Sequence, residues 1–293
     1  MLPTVGFIGL GMMGLPMLRC LLKAGCTVRG FDLNPQAAAS VAGEAGFSGA
    51  ASPADAASGA DVVLLMLPDS RIVDALLWGP DGGLARLLKP GQVVLDMGSS
   101  DPVRSRENQA KLAALRVDFV DAPVSGGVKR AVDGSLSIMI GGESPAVERV
   151  RPLLQCMGRT LVHVGTAGAG HAVKALNNYV SASGLLAVCE ALVAARAFGI
   201  DPHLVNQVFN ASTGKNNTTD VKVEAFMLSQ TFNSGFALAL MRKDLQTALA
   251  FIERMGTPAD FATRCLATWA DADTALGAGA DHTALFKYIQ DRA

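Results

Sequence analysis

The apolar run Thr4-Val5-Gly6-Phe7-Ile8 passes directly into Gly9-Leu10-Gly11-Met12-Met13-Gly14. No other stretch narrows the fold as sharply, because glycines at this spacing mark a strand that turns at once into a helix. The first glycine permits the turn. The second lets backbone approach a pyrophosphate, and the third lets helix and strand pack closely. The helix start then offers free N–H groups to phosphates. A tight turn without a ligand is the competing reading of the pattern alone. A second run, Arg29-Gly30-Phe31-Asp32, ends on an acid at about the 20-residue spacing of a ribose ligand. A carboxylate there accepts from the adenosine ribose hydroxyls and repels a 2′-phosphate, which favours NAD over NADP. The same Asp32 would also serve as a cap for a helix opened by Pro35. Gly9, Gly11, Met12, Met13, Gly14 and Asp32 are the candidate dinucleotide-binding residues.

The first half alternates short apolar runs with helical stretches. Strands are predicted at 4–8, 27–31, 62–67, 93–96, 117–120, 136–140 and 161–164. The early runs are continuously apolar, as expected of parallel strands covered on both faces. Asn34-Pro35, Ser52-Pro53, Asp101-Pro102 and Ser144-Pro145 each set a capping side chain before a proline suited to a first helical turn. This alternation predicts a doubly wound α/β sheet. From residue 168 a helical pattern runs to Phe198 without a breaker. Further helices are predicted near 203–211, 219–228, 241–255 and 259–276, then a short one at the C-terminus, with no strand after 164. The small-residue stretch Gly165–Gly170 divides the chain into domains 1–165 and 166–293.

A chain of 293 residues, half of them hydrophobic, is long enough for about two domains with large cores. Lys+Arg is 25 and Asp+Glu is 26. That balance lacks the basic excess of a bulk nucleic-acid or membrane-surface binder. Five scattered cysteines, Cys20, Cys26, Cys156, Cys189 and Cys265, read as buried reduced thiols, with no metal site. No basic n-region precedes the first strand, and no uninterrupted apolar run approaches the roughly 20 residues of a spanning helix. The expectation is a cytoplasmic protein without a membrane or nucleic-acid partner.

Other candidates lie at predicted strand ends and helix starts. Leu67-Pro68-Asp69 and Asp96-Met97-Gly98-Ser99-Ser100 end the third and fourth strands, where open α/β sheets bind ligands. Leu67, Pro68 and Ser99 are therefore candidate cofactor contacts, and Ser99 would alternatively cap the helix near Pro102. Asp121-Ala122-Pro123-Val124-Ser125-Gly126-Gly127 is either a turn or a nest of N–H groups for a carboxylate. Lys174 stands among apolar neighbours, with Asn178 one helical turn on. A lysine in a partly dry site suits acid–base work, while a snorkelling surface lysine is the plainer alternative. Lys243-Asp244 would reach an anion or form a surface ion pair. His163, His171, His203 and His282 have no triad-like or metal-like partner in sequence, and structural or solvated roles are expected.

Taken together, these motifs resemble the β-hydroxyacid dehydrogenase family over essentially the whole chain. Val5–Gly14 looks like its cofactor signature and Asp121–Gly127 its substrate-binding segment. Gly168–Asn178 looks like its catalytic segment, and Lys243-Asp244-Leu245 its late motif. The resemblance implies a Rossmann-type α/β N-terminal domain and an all-α C-terminal domain, the 6-phosphogluconate dehydrogenase-like arrangement. It implies Lys174 as general acid/base, and Ser125, Gly126 and Gly127 on the substrate carboxylate. Asn178 helps place the substrate, and Ser99, Phe236 and Lys243 lie against the cofactor. It also implies a homodimer or homotetramer that interconverts a small β-hydroxy acid and its semialdehyde with NAD. Three alternatives stand beside it: an NADPH-dependent glyoxylate or succinic semialdehyde reductase, an imine reductase, and a non-catalytic scaffold. Lys174 argues against the second, and the filled site against the third. Four departures from the family pattern stand out: Gly98-Ser99-Ser100, His171 where glutamine is common, the polar segment Ser212–Asn217, and Lys129-Arg130 beside the carboxylate loop. They predict a substrate more polar than 3-hydroxyisobutyrate.

Overall fold

The computed structural model describes residues 2–293. Packing divides them into a sheet unit ending at Lys174 and a helical unit, Ala175–Ala293.

In the sheet unit, nine strands form one sheet among the described residues. They are β1 (Val5–Ile8), β2 (Val28–Phe31), β3 (Phe47–Gly49), β4 (Val62–Leu65) and β5 (Val93–Asp96), then β6 (Asp118–Asp121), β7 (Val124–Ser125), β8 (Leu136–Gly141) and β9 (Gly158–Gly165). The order is β3-β2-β1-β4-β5-β6-β8-β7, with β9 on β8. Strands β1 to β6 pair in parallel, and β8 runs antiparallel to β6 and β7. The predicted α/β sheet is present, with two strands that the sequence reading left out. Strands β3 and β7 are too short for a hydrophobic period to register, and β7 falls in a segment read as loop.

The continuous apolar runs follow from burial on both faces. Phe7, Leu64 and Leu95 join one core cluster, while their neighbours Ile8, Val63, Leu65 and Val94 join another. The covering helices are α1 (Gly14–Lys23), α2 (Pro35–Ala39), α3 (Pro53–Ala57), α4 (Ser70–Trp78), α5 (Pro102–Ala113), α6 (Gly127–Val132) and α7 (Ser144–Met157). Asn34, Ser52 and Asp101 cap α2, α3 and α5 as the Pro-linked signals predict. The fourth signal shifts by one position. Ser144 is already helical, and Glu143 stands at the cap without a side-chain bond.

Helix α8 (Ala169–Ala197) begins in the sheet unit and continues through the division. By length and a mean hydropathy of 1.5 it is apolar enough to cross a membrane, although no uninterrupted apolar run announces it. Core helices pass the same test, and its Ala182, Leu185, Cys189 and Leu192 are fully buried in the helical unit's core. After it come α9 (Pro202–Ala211), a π-helix (Thr218–Leu228), α10 (Leu238–Arg254), α11 (Asp260–Leu276) and α12 (Leu285–Gln290). The expected absence of strands past residue 164 needs one amendment, an isolated antiparallel bridge between Ala237 and Asp281.

Candidate active site

In the sheet unit the glycine loop leaves β1 beside β4, where the strand order reverses. The three glycines have different surroundings. Gly9 has φ +100°, and a Cβ there would strike the Met66 carbonyl. A Cβ on Gly14 would strike the carbonyl of Gly9, so this glycine holds helix against strand. A Cβ on Gly11 would meet nothing within 4 Å. Open space over Gly11 is what a pyrophosphate needs. Helix α1 has neither a capping side chain nor an acid in its first turn, which leaves its positive end to an anion. Met12 is exposed and Met13 half-buried.

Asp32 does not cap α2; Asn34 does. Instead Asp32 Oδ2 accepts from Leu10 N at 2.6 Å and Oδ1 from Asn34 N at 2.7 Å. The carboxylate is thus tied to the glycine loop and stays half-exposed. Arg29 is spoken for by Asp55, at 3.0 Å.

Leu67 and Pro68 follow β4, and Asp69 caps α4 by accepting from Arg71 N and Ile72 N. Ser99 is half-buried and is not the cap of α5, a role Asp101 fills. The turn that presents Ser99 is shaped by buried Asp96, which accepts from Gly98 N at 3.0 Å and Ser100 Oγ at 2.8 Å. Ser125 ends β7, and Gly126 and Gly127 follow with φ +130° and +66°. Both glycines are exposed and α6 has no side-chain cap there, so the backbone stands open to a carboxylate. Asp121, at the head of the same motif, is fully buried.

Lys174 is half-buried on α8, and Asn178 is its neighbour on the same helix face. In the helical unit, Asn178 Nδ2 donates to Asp244 Oδ2 at 2.6 Å. Lys243 Nζ lies 3.2 Å from Asp244 Oδ1. The ion pair read from the sequence is therefore present, but it is not a plain surface pair, since the Asp244 carboxylate is 7 % exposed and joins Lys243 to Asn178. Phe236 is pinned through Asp281, which accepts from Gly235 N, Phe236 N, Ser234 Oγ, Thr283 N and Thr283 Oγ1. The His282 Nδ1 meets the Phe236 carbonyl at 3.0 Å. Burial, then the charge of nearby Lys222, pushes His282 down to about 4, and burial pushes Lys222 down to about 8.

Sequence reasoning missed two of these groups. Asp281 gives no local signal beyond an aspartate before a short helix. His171 was set aside as lacking partners, yet it is buried between two strand ends. Its Nδ1 lies 2.7 Å from Ser105 Oγ, and its Nε2 lies 3.9 Å from Asp96 Oδ2. These contacts cross 66 and more positions of chain, beyond the reach of any spacing rule. No cluster of His, Cys, Asp or Glu suited to a metal occurs among the described residues.

Residues 4–165 match the family model for the NAD-binding domain of 6-phosphogluconate dehydrogenase. Residues 168–289 match the one described as NAD-binding of NADP-dependent 3-hydroxyisobutyrate dehydrogenase. The chain is 39% identical to 2-(hydroxymethyl)glutarate dehydrogenase of Eubacterium barkeri, over 84% of this chain and 81% of that one. It is 34% identical to 2-hydroxy-3-oxopropionate reductase of Escherichia coli, over 98% and 97%. A Mycobacterium tuberculosis 3-hydroxyisobutyrate dehydrogenase solved with L-serine superimposes with a TM-score of 0.91 at 33% identity, over 99% of this chain and all of that one. With an NAD-binding domain matched over residues 4–165, a second matched domain over 168–289 and relatives at 34–39% identity, the chain belongs to the β-hydroxyacid dehydrogenase family.

Proposed function

We propose that the protein is an NAD-dependent dehydrogenase interconverting a small, polar β-hydroxy acid and its semialdehyde, with Lys174 as general acid/base. The observation that carries this reading is the placement of Lys174 and Asn178 one turn apart on α8, with Asn178 bonded to Asp244 beside Lys243.

The open backbone over Gly11 and the uncapped α1 fit a pyrophosphate, and Asp32 fits a ribose diol. When bound, the nicotinamide supplies hydride acceptance or donation. Ser125, Gly126 and Gly127 hold the substrate carboxylate with hydroxyl and backbone donors. Lys174, when neutral, takes the proton from the substrate hydroxyl; when charged, it returns a proton to the carbonyl oxygen. Asn178, its amide N–H held by Asp244, keeps its own oxygen facing Asn177 Nδ2 and is fixed in orientation. Ser99, Phe236 and Lys243 complete the cofactor contacts.

Asp32 supports NAD over NADP, because a 2′-phosphate would meet its negative charge. Arg29, already engaged by Asp55, supplies no compensating cation. The NADP-dependent description of the family model over 168–289 favours the alternative of an NADPH-dependent reductase. Initial rates with the two cofactors side by side decide between them.

Exposed Lys129 and Arg130, just beyond Gly127, support a substrate with a second anionic or polar group. The relative named for 2-(hydroxymethyl)glutarate acts on such an acid. Exposed Phe198, Leu204 and Val208 support a homodimer or homotetramer, to be measured by light scattering.

The test is cofactor reduction across 3-hydroxyisobutyrate, glycerate, L-serine and 2-(hydroxymethyl)glutarate, with Lys174→Ala alongside. The expected result is a preference for a polar member and a loss of about 10²–10⁴-fold in the variant. Turnover that survives Lys174→Ala undiminished removes the acid/base assignment. A preference for 3-hydroxyisobutyrate over every polar analogue removes the substrate assignment.

A further inference from the structure

Strands β5 and β6 end side by side, with Asp96 and Asp121 as register partners. Both carboxylates are buried, at 1% and 0% exposure. Two buried acids at adjacent strand ends are costly unless each is engaged by donors. Asp96 is engaged by the Gly98–Ser100 turn. Asp121 is engaged elsewhere: Oδ1 accepts from Gly168 N at 2.7 Å and Oδ2 from His171 N at 2.8 Å.

Those two N–H groups belong to the start of α8, whose first turn contains no acid of its own. A helix start has N–H groups without intrahelical partners, and a capping oxygen satisfies them. Here the cap comes from a strand 47 and 50 positions away. Two glycines make room for it. A Cβ on Gly141 would lie 2.5 Å from Asp121 Oδ1, and one on Gly170 would lie 2.9 Å from Oδ2.

The His171 side chain completes the lock. Ser105 Oγ donates to the Asp101 carbonyl at 3.0 Å, which leaves its oxygen to accept from His171 Nδ1. Nδ1 is also 3.7 Å from Asp121 Oδ2. The opposite nitrogen, Nε2, has no hydrogen-bond partner among the described residues and faces Asp96. The imidazole thus stands between the acid that shapes the Ser99 turn and the acid that caps α8. Lys174 follows His171 by three positions on the same helix face.

We propose that Asp121 is a positioning residue for Lys174: its carboxylate fixes the first turn of α8 on the strand ends, and the His171 imidazole wedges that turn against Asp96. This inference rests on the assignment of Lys174 as acid/base. Asp121 touches neither substrate nor cofactor; it acts through the placement of the lysine. An amide in its place presents an N–H to one of two backbone N–H groups, so one bond is lost and the turn is released.

The experiment is a double-mutant cycle with Asp121→Asn and Lys174→Ala, read with NAD⁺ and the panel acid turned over fastest. Asp121→Asn is expected to lower kcat about 10- to 100-fold, the scale of a catalytic group displaced by about 1 Å. NAD⁺ affinity, measured by calorimetry, is expected to stay at the wild-type value. In the Lys174→Ala background the same substitution is expected to have no further effect, because there is no lysine left to misplace. An equal loss in both backgrounds, or an unchanged kcat in the folded single variant, overturns the proposal. If Asp121→Asn does not fold, His171→Ala runs the same cycle, since it keeps the backbone N–H and removes the wedge. Wild-type turnover in Lys174→Ala itself indicts the acid/base assignment instead, so the two failures are told apart.

Discussion

The two units build their functional surfaces from different material. The sheet unit offers mostly backbone, with Asp32 and Lys174 as its side-chain groups: a glycine loop open over Gly11, an exposed turn at Gly126 and Gly127, and a capped helix start at Gly168. The helical unit offers networks of polar and ionisable side chains: Asn178–Asp244–Lys243, and Asp281, His282 and Lys222 around the Phe236 segment. Backbone surfaces are sensitive to added atoms, whereas side-chain surfaces are sensitive to protons and to lost partners. The glycine loop is therefore expected to be disturbed by a methyl group, and the Asp281–His282 network by pH.

The largest effect that tests this contrast is Asp281→Ala. The buried Thr283 donors and the half-buried Ser234 and Phe236 donors lose their acceptor, at about 1–3 kcal/mol for each buried one, so urea unfolding should show a stability loss of about 3 kcal/mol. Burial pushes the Asp281 carboxyl up, but the bonds from Thr283 and Ser234 outweigh it and hold it below the usual range. Its contribution is therefore present above the ordinary carboxylate pKa and lost on strong acidification.

Next comes His282. Held neutral down to about 4, it binds a proton in the unfolded chain from 6.5 downward. The unfolded state thus carries more protons over that window, and stability falls by about 2–3 kcal/mol as pH drops from 6.5 to 4. His282→Gln should flatten that part of the stability–pH curve. An unchanged slope would show that the helical unit is not the pH-sensitive half.

The smallest effects divide the glycine loop itself. Gly14→Ala forces a methyl onto the Gly9 carbonyl and should cost about 1–3 kcal/mol. Gly11→Ala meets open space and should leave stability within about 0.5 kcal/mol, while weakening NAD⁺ binding in calorimetry. Equal effects at the two positions would break the claim that one glycine serves packing and the other a ligand.

What was legible in the sequence follows the same division. The glycine loop and three of four Pro-linked caps lie within a few residues of the features they serve, and local pattern reveals them; Asp32 lies 22 positions from Leu10 and is picked out by its spacing from the glycine loop. The strands of the central sheet announce themselves because burial on two faces leaves no polar positions. Strands β3 and β7 do not, being three and two residues long. Helix α8 was bounded to within a residue at each end, since nothing interrupts its pattern. The side-chain networks stayed hidden because their members are distant in sequence. Asn178 and Asp244 are 66 positions apart, as are Ser105 and His171. A polar residue reads as solvated until the fold supplies its partner: Asp281 carried no signal, and His171 stood out only as a departure from the family pattern, with its partners hidden.

The cap on α8 bears on how such a chain can exchange parts with its relatives. The matched family models meet in the stretch between residues 165 and 168, so recombination there would join one parent's strands to another's helices. Asp121 grips only main-chain N–H groups on the far side of that seam. An incoming helical module would need to bring two things: a residue without a side chain at position 170, to leave the carboxylate room, and an imidazole at position 171 to stand between Asp96 and Asp121. The joint that sets the lysine is thus written on both sides of the seam, and it would survive only those exchanges that keep a glycine and a histidine at these two positions.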